Sequence, residues 1–176
     1  MSEQQNAASQ KEEGQSLSFE TLYEKYATDV IRVSYFYLGD MQKAEDVCQD
    51  VFVRLITNNP TILPGKEKAW LLKVAVNRCK DLWRSGWVKR VVLGSPAFEL
   101  VPAPDDFSRH DDEAEMMSAI HALPPVFKEV ILLHYYQGFG VAEMAQMLSL
   151  PEGTIASRLS RGRKKLETIL KGGDNR

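Results

Sequence analysis

A chain of 176 residues with 44% hydrophobic content has room for one ordinary domain or two small ones, and is too apolar to be wholly disordered. No stretch approaches the roughly 18 apolar residues of a membrane span, and the polar start from Met1 to Gln15 has no apolar signal core, so neither direct membrane insertion nor export is expected. The net charge of −2 argues against a nonspecific nucleic-acid binder, but the distribution of that charge argues the other way.

In chain order, residues 1–16 read as a disordered tail. Ser18 can cap a first helix, in which Phe19, Leu22, Tyr23, Tyr26, Val30, Val33 and Tyr37 recur at helical spacing. Gly39 ends that helix and Asp40 can cap the second, with Ala44, Val47, Cys48, Val51 and Leu55 on its inner stripe. Pro60 and Pro64 break the pattern between Asn58 and Gly65. A third helix is predicted from about Lys66 to Arg84, burying Leu72, Ala75, Val76, Cys79 and Trp83. Residues 94–111, with Gly94, Pro96, Pro102 and Pro104, read as a linker. Downstream, shorter helices are predicted at about 112–122, from Pro125 through Val126, Val130 and Leu133, at 141–148, and from Glu152 to about Leu170, with a tail at 172–176. Nothing reads as a strand. The fold class is therefore all-α: two small helical domains, 17–93 and 112–171, joined by a flexible acidic linker.

Charge follows this division. Residues 66–90 carry eight basic against two acidic side chains, residues 151–176 seven against three, and residues 99–115 one against seven. Two basic blocks around an acidic one suggest two DNA-facing modules joined by a segment that avoids DNA and can compete for the chain's own basic faces. The two cysteines, Cys48 and Cys79, fall inside apolar helical patterns and read as small buried hydrophobes in a reducing cytoplasm.

A short helix, a turn at Ser149-Leu150-Pro151 and a longer basic helix make a helix-turn-helix. On the second of these helices Ile155, Leu159, Leu166 and Ile169 form one stripe, and Thr154, Ser157, Arg158 and Arg161 form another. Forked arginine donors and short hydroxyls are the chemistry of a major-groove reader, and Arg163, Lys164 and Lys165 lie beside them for phosphates. A merely solvated basic helix is the bland alternative. The third helix divides similarly: opposite its apolar stripe lie Lys73, Asn77, Lys80, Asp81 and Arg84, with Trp70, Trp83 and Trp87 nearby. Basic groups interleaved with aromatics suit single-stranded DNA, although the tryptophans are better read as core. On the second helix Asp46, Gln49 and Asp50 share an outward patch, with Phe52 and Val53 beside it. No histidine, nucleophile or metal-ligand spacing accompanies those carboxylates, so a basic protein partner is the sharper reading.

Ala44-Glu45-Asp46-Val47-Cys48-Gln49-Asp50-Val51-Phe52 resembles the polymerase-binding signature in region 2 of sigma-70 factors. The run from Trp70 to Asp81 resembles the −10-engaging helix of the small extracytoplasmic-function (ECF) branch. The run from Gly153 to Leu166 is similar to that branch's region 4 recognition helix, and Leu123-Pro124-Pro125 stands where its region 4 core begins. The resemblance covers roughly residues 17–171, with the three motifs in order. It implies a sigma factor, not an enzyme and without a cofactor, that directs core RNA polymerase to promoters. Asp46, Gln49, Asp50 and Val53 would meet the β′ clamp, and region 4 the β flap. Asn58, Asn59, Lys73, Asn77, Lys80, Asp81 and Arg84 would face the −10 strand, the segment from Asn58 to Lys66 standing where the family captures a flipped base. Thr154, Ser157, Arg158, Ser160, Arg161, Arg163 and Lys164 would face the −35 duplex. The linker would thread the channel that later carries RNA. An anti-sigma factor is a further partner in this branch, one that can hold the cytoplasmic protein at a membrane.

Two positions depart from the family pattern: Ala156 replaces a usual basic residue, and Gly162 replaces alanine, at an expected cost of about 0.5–1 kcal/mol in mid-helix. Two other readings compete. A stand-alone helix-turn-helix regulator explains residues 112–171 but leaves the first 90 without a role. A metal enzyme built on His110-Asp111-Asp112-Glu113 fails because adjacent residues on a helix do not converge on one point.

Overall fold

The computed structural model describes residues 17–93 and 111–173; the side chains of 87–93, 111, 113 and 173 are not described. The expected tails at 1–16 and 174–176 and the linker at 94–110 lie outside the described residues, as do His110 of the acidic cluster and the side chain of Trp87. All regular structure among the described residues is helical: α1 (Phe19–Leu38), α2 (Met41–Asn58), α3 (Glu67–Leu93), α4 (Asp111–Ala122), α5 (Pro125–Ile131), a π-helical turn (Leu132–Tyr136), α6 (Val141–Leu148) and α7 (Glu152–Gly173).

Local chemistry sets the ends. The Ser18 hydroxyl accepts from the Thr21 N–H at 3.3 Å, and Gly39, at φ +69°, donates its N–H back to the Tyr35 carbonyl at 2.7 Å. The Asp40 carboxylate accepts from the Lys43 N–H at 3.0 Å and starts α2. Pro125 occupies the first turn of α5, where its missing N–H costs nothing. His134 Nδ1 lies 2.7 Å from the Phe139 carbonyl oxygen and pins the turn between the π-helical turn and α6.

α1, α2 and α3 pack on one another, and α5, α6 and α7 form a second group. The two groups are in contact: α1 touches α4, α5 and the π-helical turn, and α3 touches α6. One apolar cluster runs through both, from Val30, Val51 and Val76 to Ile120, Ile131 and Ile155. Cys48 and Cys79 are buried in it as free thiols, and burial pushes their pKa values up to about 11 and about 12.

Four sequence expectations are corrected. Phe52, expected beside an outward patch, is 2% exposed and packs edge-on against Phe19 and Tyr23. It lies four residues after Cys48, so the inner stripe of α2 is wider than expected. Tyr23 itself is exposed, covering that ring from the solvent side. Val126 is also exposed: α5 is wedged against both α1 and α7, and its next five residues but one, Lys128 to Ile131, are the buried ones. The third helix runs on to Leu93, well past Arg84.

Gly162 has a steric reason. A Cβ there would stand 3.2 Å from Ile131 Cγ1 and 3.3 Å from Phe127 Cβ, so glycine lets α7 approach α5 closely. Gly153 faces open space. Gly162→Leu should therefore destabilise the fold by about 1–3 kcal/mol through overpacking, while Gly153→Ala should stabilise it by up to about 1 kcal/mol. Urea melts of the two variants check the contrast.

Candidate nucleic-acid and polymerase interface

The expected −10 residues occupy the end of α2 and one face of α3. Asn58 closes α2 and Asn59 follows in the left-handed conformation, at φ +39°, both exposed. Along α3, Asn77, Asp81 and Arg84 are exposed, whereas Lys73 and Lys80 are half-buried. Lys73 lines a cleft of about 450 Å³ between the 61–70 segment and Glu143, Gln146 and Met147 of α6. Trp70 and Trp83 are half-buried against the apolar cluster, which places them with the core.

The helix-turn-helix is α6, a turn through Ser149 in the left-handed conformation, and α7. Ile155 and Leu159 are buried while Arg161, Arg163 and Lys164 are exposed; Thr154, Ser157 and Ser160 are half-buried. Arg161 Nη2 donates to the Ser157 hydroxyl at 2.6 Å, which ties two of the expected base-reading groups into one unit. Arg158 turns away from them: its Nη1 donates to Glu129 Oε1 at 2.9 Å.

Glu129 is 2% exposed, and its other oxygen, Oε2, stands 2.5 Å from Lys80 Nζ. One buried carboxylate thus joins α3, α5 and α7. Its neighbour Lys128, 1% exposed, donates from Nζ to the Tyr37 carbonyl oxygen at 3.1 Å and lies 5.2 Å from the Tyr37 ring. That carbonyl belongs to the last turn of α1, where backbone acceptors lack intrahelical donors and the helix dipole favours a cation. Burial pushes the Lys128 pKa down to about 8. Lys128 and Glu129 were missed by periodicity; the available signal was a pair of charges inside the apolar run from Val126 to Leu133.

On α2, Asp46, Gln49 and Val53 are exposed, Val53 at 58%. Asp50 differs from them, since its Oδ2 accepts from Arg78 Nε of α3 at 2.7 Å. Among the described residues, no group of three or more histidine, cysteine, aspartate or glutamate side chains is arranged to hold a metal ion. No helix among them is long and apolar enough to cross a membrane.

The helical fold and these two faces define a class, the sigma-70 factors: residues 22–88 match sigma-70 region 2 and residues 113–166 match sigma-70 region 4. The chain is 32% identical over 144 residues to the ECF RNA polymerase sigma factor SigL of Mycobacterium tuberculosis, covering 78% of this chain and 80% of that one. It is 29% identical over 158 residues to the ECF RNA polymerase sigma factor SigE of Mycolicibacterium smegmatis, covering 87% of this chain but 62% of that relative's length. A solved sigma factor RpoE, in complex with the anti-sigma factor NepR from Bartonella quintana, has the same fold at a TM-score of 0.73 and 23% identity, over 87% of this chain and 96% of that one. The protein belongs to the ECF RNA polymerase sigma factor family.

Two measurements probe the site's ion pairs. Asp46→Lys should leave stability within about 0.5 kcal/mol, whereas Asp50→Lys, which sets a cation against Arg78, should cost about 1 kcal/mol; urea melts distinguish them. For Lys128 the packed state has the lower pKa, so between pH 8 and the usual 10.5 it binds fewer protons than the unfolded chain. Stability from this group therefore rises with pH across that window, while the buried cysteines act oppositely above pH 9. The stability of Lys128→Met relative to the parent isolates the lysine, and should fall by about 3 kcal/mol between pH 7 and 10.5. A flat difference would show that the ammonium is not desolvated.

Proposed function

We propose that this chain binds core RNA polymerase and directs promoter-specific initiation in the cytoplasm, reading a −10 element with residues 17–93 and a −35 element with residues 112–171, joined through 94–111. The observation that carries the reading is that one chain holds two separate DNA-suited faces, on α3 and on α7, within its region 2 and region 4 matches. Asp46, Gln49 and Val53 present an exposed acidic and apolar patch suited to the polymerase β′ clamp, with Asp50 beside it. Region 4 meets the β flap. Asn77, Lys73, Lys80, Asp81 and Arg84, with Asn58 and Asn59, engage the melted −10 strand, where extruded bases need stacking and amide contacts. Arg161, supported by Ser157, faces the −35 major groove, with Thr154, Ser160, Arg163 and Lys164 around it, and Arg158 joins them once it leaves Glu129. The protein acts as an initiation factor rather than an enzyme. The anti-sigma complex of the Bartonella neighbour supports an anti-sigma partner here.

Adding the protein to core polymerase should produce promoter-specific run-off transcripts from a genomic promoter library; transcripts no different from core enzyme alone would reject the reading. Within that assay Arg161→Ala should lose about 1–3 kcal/mol of discrimination at one −35 base pair if it contacts a base in bidentate fashion. Asn77→Ala should leave duplex binding intact and reduce permanganate reactivity of −10 thymines. Asp46→Lys should weaken polymerase binding in a folded protein.

A further inference from the structure

The cations that the proposed function assigns to the two DNA elements meet inside the protein. Lys80 comes from the −10 face of α3 and Arg158 from the −35 face of α7, and both end on Glu129, at 2.5 and 2.9 Å. The cleft around them, about 340 Å³, is lined by Trp83, Arg84, Pro125 and Leu150 as well, and has no room for a duplex. Two turns earlier on α3, Lys73 faces α6 across a second cleft. One edge of each proposed DNA face, carrying Lys73 and Lys80 on α3 and Arg158 on α7, is thus turned toward the other half of the chain, while Asn77, Arg84 and Arg161 stay exposed.

A carboxylate that served only to orient Arg158 would need no partner from the other half of the chain. Nor is a buried carboxylate between two half-buried cations an efficient way to hold two domains together, because its desolvation offsets much of the attraction. What the triad does is occupy cations. A carboxylate offers two anionic oxygens to lysine and arginine in the manner of a phosphate.

We propose that Glu129 is an internal stand-in for DNA phosphate: it clasps Lys80 and Arg158 in a closed chain, and both DNA-reading faces are released together when the seam opens. This rests on the proposed function for the meaning of the two faces, but the clasp itself is testable without a promoter or polymerase. The probe is a short mixed-sequence DNA duplex, titrated with the full-length chain, while small-angle scattering gives the chain's radius of gyration. Glu129→Gln keeps the shape of the side chain and removes its charge. It should expand the chain and raise duplex affinity by about ten-fold as the freed cations reach phosphates. Lys80→Met cuts only the arm between the halves. It should also expand the chain and tighten duplex binding, although it removes a positive charge, and it decides the matter should Glu129→Gln fail to fold. Glu24→Gln, on the exposed side of α1, controls for the loss of one negative charge and should change affinity by less than about two-fold. Folded variants with the parent's radius and affinity would overturn the clasp, and so would tighter binding without expansion. If the parent fails to support initiation with core polymerase, the functional reading falls, while scattering and duplex binding still decide the clasp.

Discussion

Glu129 has almost no access to water, and its two oxygens meet cations from different halves of the chain. An isolated carboxylate in that position would be prohibitively expensive, so the arrangement of α3, α5 and α7 is tied to keeping it paired. Successive residues on a helix point about 100° apart, and α5 uses this: Glu129 reaches α3 and α7 while Lys128 reaches the end of α1. Gly162 belongs to the same arrangement. It sits four residues after Arg158, hence on the same face of α7, and its missing side chain allows the approach to α5 that brings the guanidinium to Glu129. A residue that reads as a helix defect in sequence is a packing requirement in three dimensions.

Much of this protein is legible from sequence because the information is local. Ser18, Gly39 and Asp40 terminate helices through contacts within four residues, and each does so as expected. The two faces of α7 follow from period alone, with Ile155 and Leu159 buried and Arg161 exposed. What escaped depends on partners far along the chain. Periodicity assumes one inside for each helix, and α5 has two, so it gives no sign that Lys128 and Glu129 are buried and puts Val126 on the wrong side. Asp50 shares its face with Asp46 and Gln49 in any helical projection; only the position of Arg78, 28 residues away, separates it from them.

Charge shows the same limit. The segment from Glu99 to Glu115 is the conspicuous acidic block, and from sequence it is the natural competitor for the basic faces. Its residues up to 110 lie outside the described structure. Among the described residues the carboxylate that pairs with a cation from each basic face is Glu129, a single charge with Lys128 before it and hydrophobic residues after it. Net charge over a window measures long-range attraction, whereas occupancy of a particular cation depends on burial and distance. At 2.5 to 2.9 Å and out of water, one carboxylate outweighs several that are solvated and screened.

The seam combines attraction and cost in a way that bears on how such a chain could open. Phe36 and Tyr136 meet across it with ring centroids 4.8 Å apart, and the apolar cluster continues through it. Against these stands Lys128, whose depressed pKa reflects an ammonium held out of water, with the Tyr37 carbonyl and the face of the Tyr37 ring as compensation. A partner can shift a two-state equilibrium only by its difference in affinity for the two states, so a deeply stable closed form would need an equally large difference to open it. An apolar leucine or methionine at position 128 would remove the desolvation cost and deepen the closed state. In the proposed clasp the buried lysine would leave the closed and open arrangements closer in free energy, within reach of the modest differential affinity that a partner surface can supply.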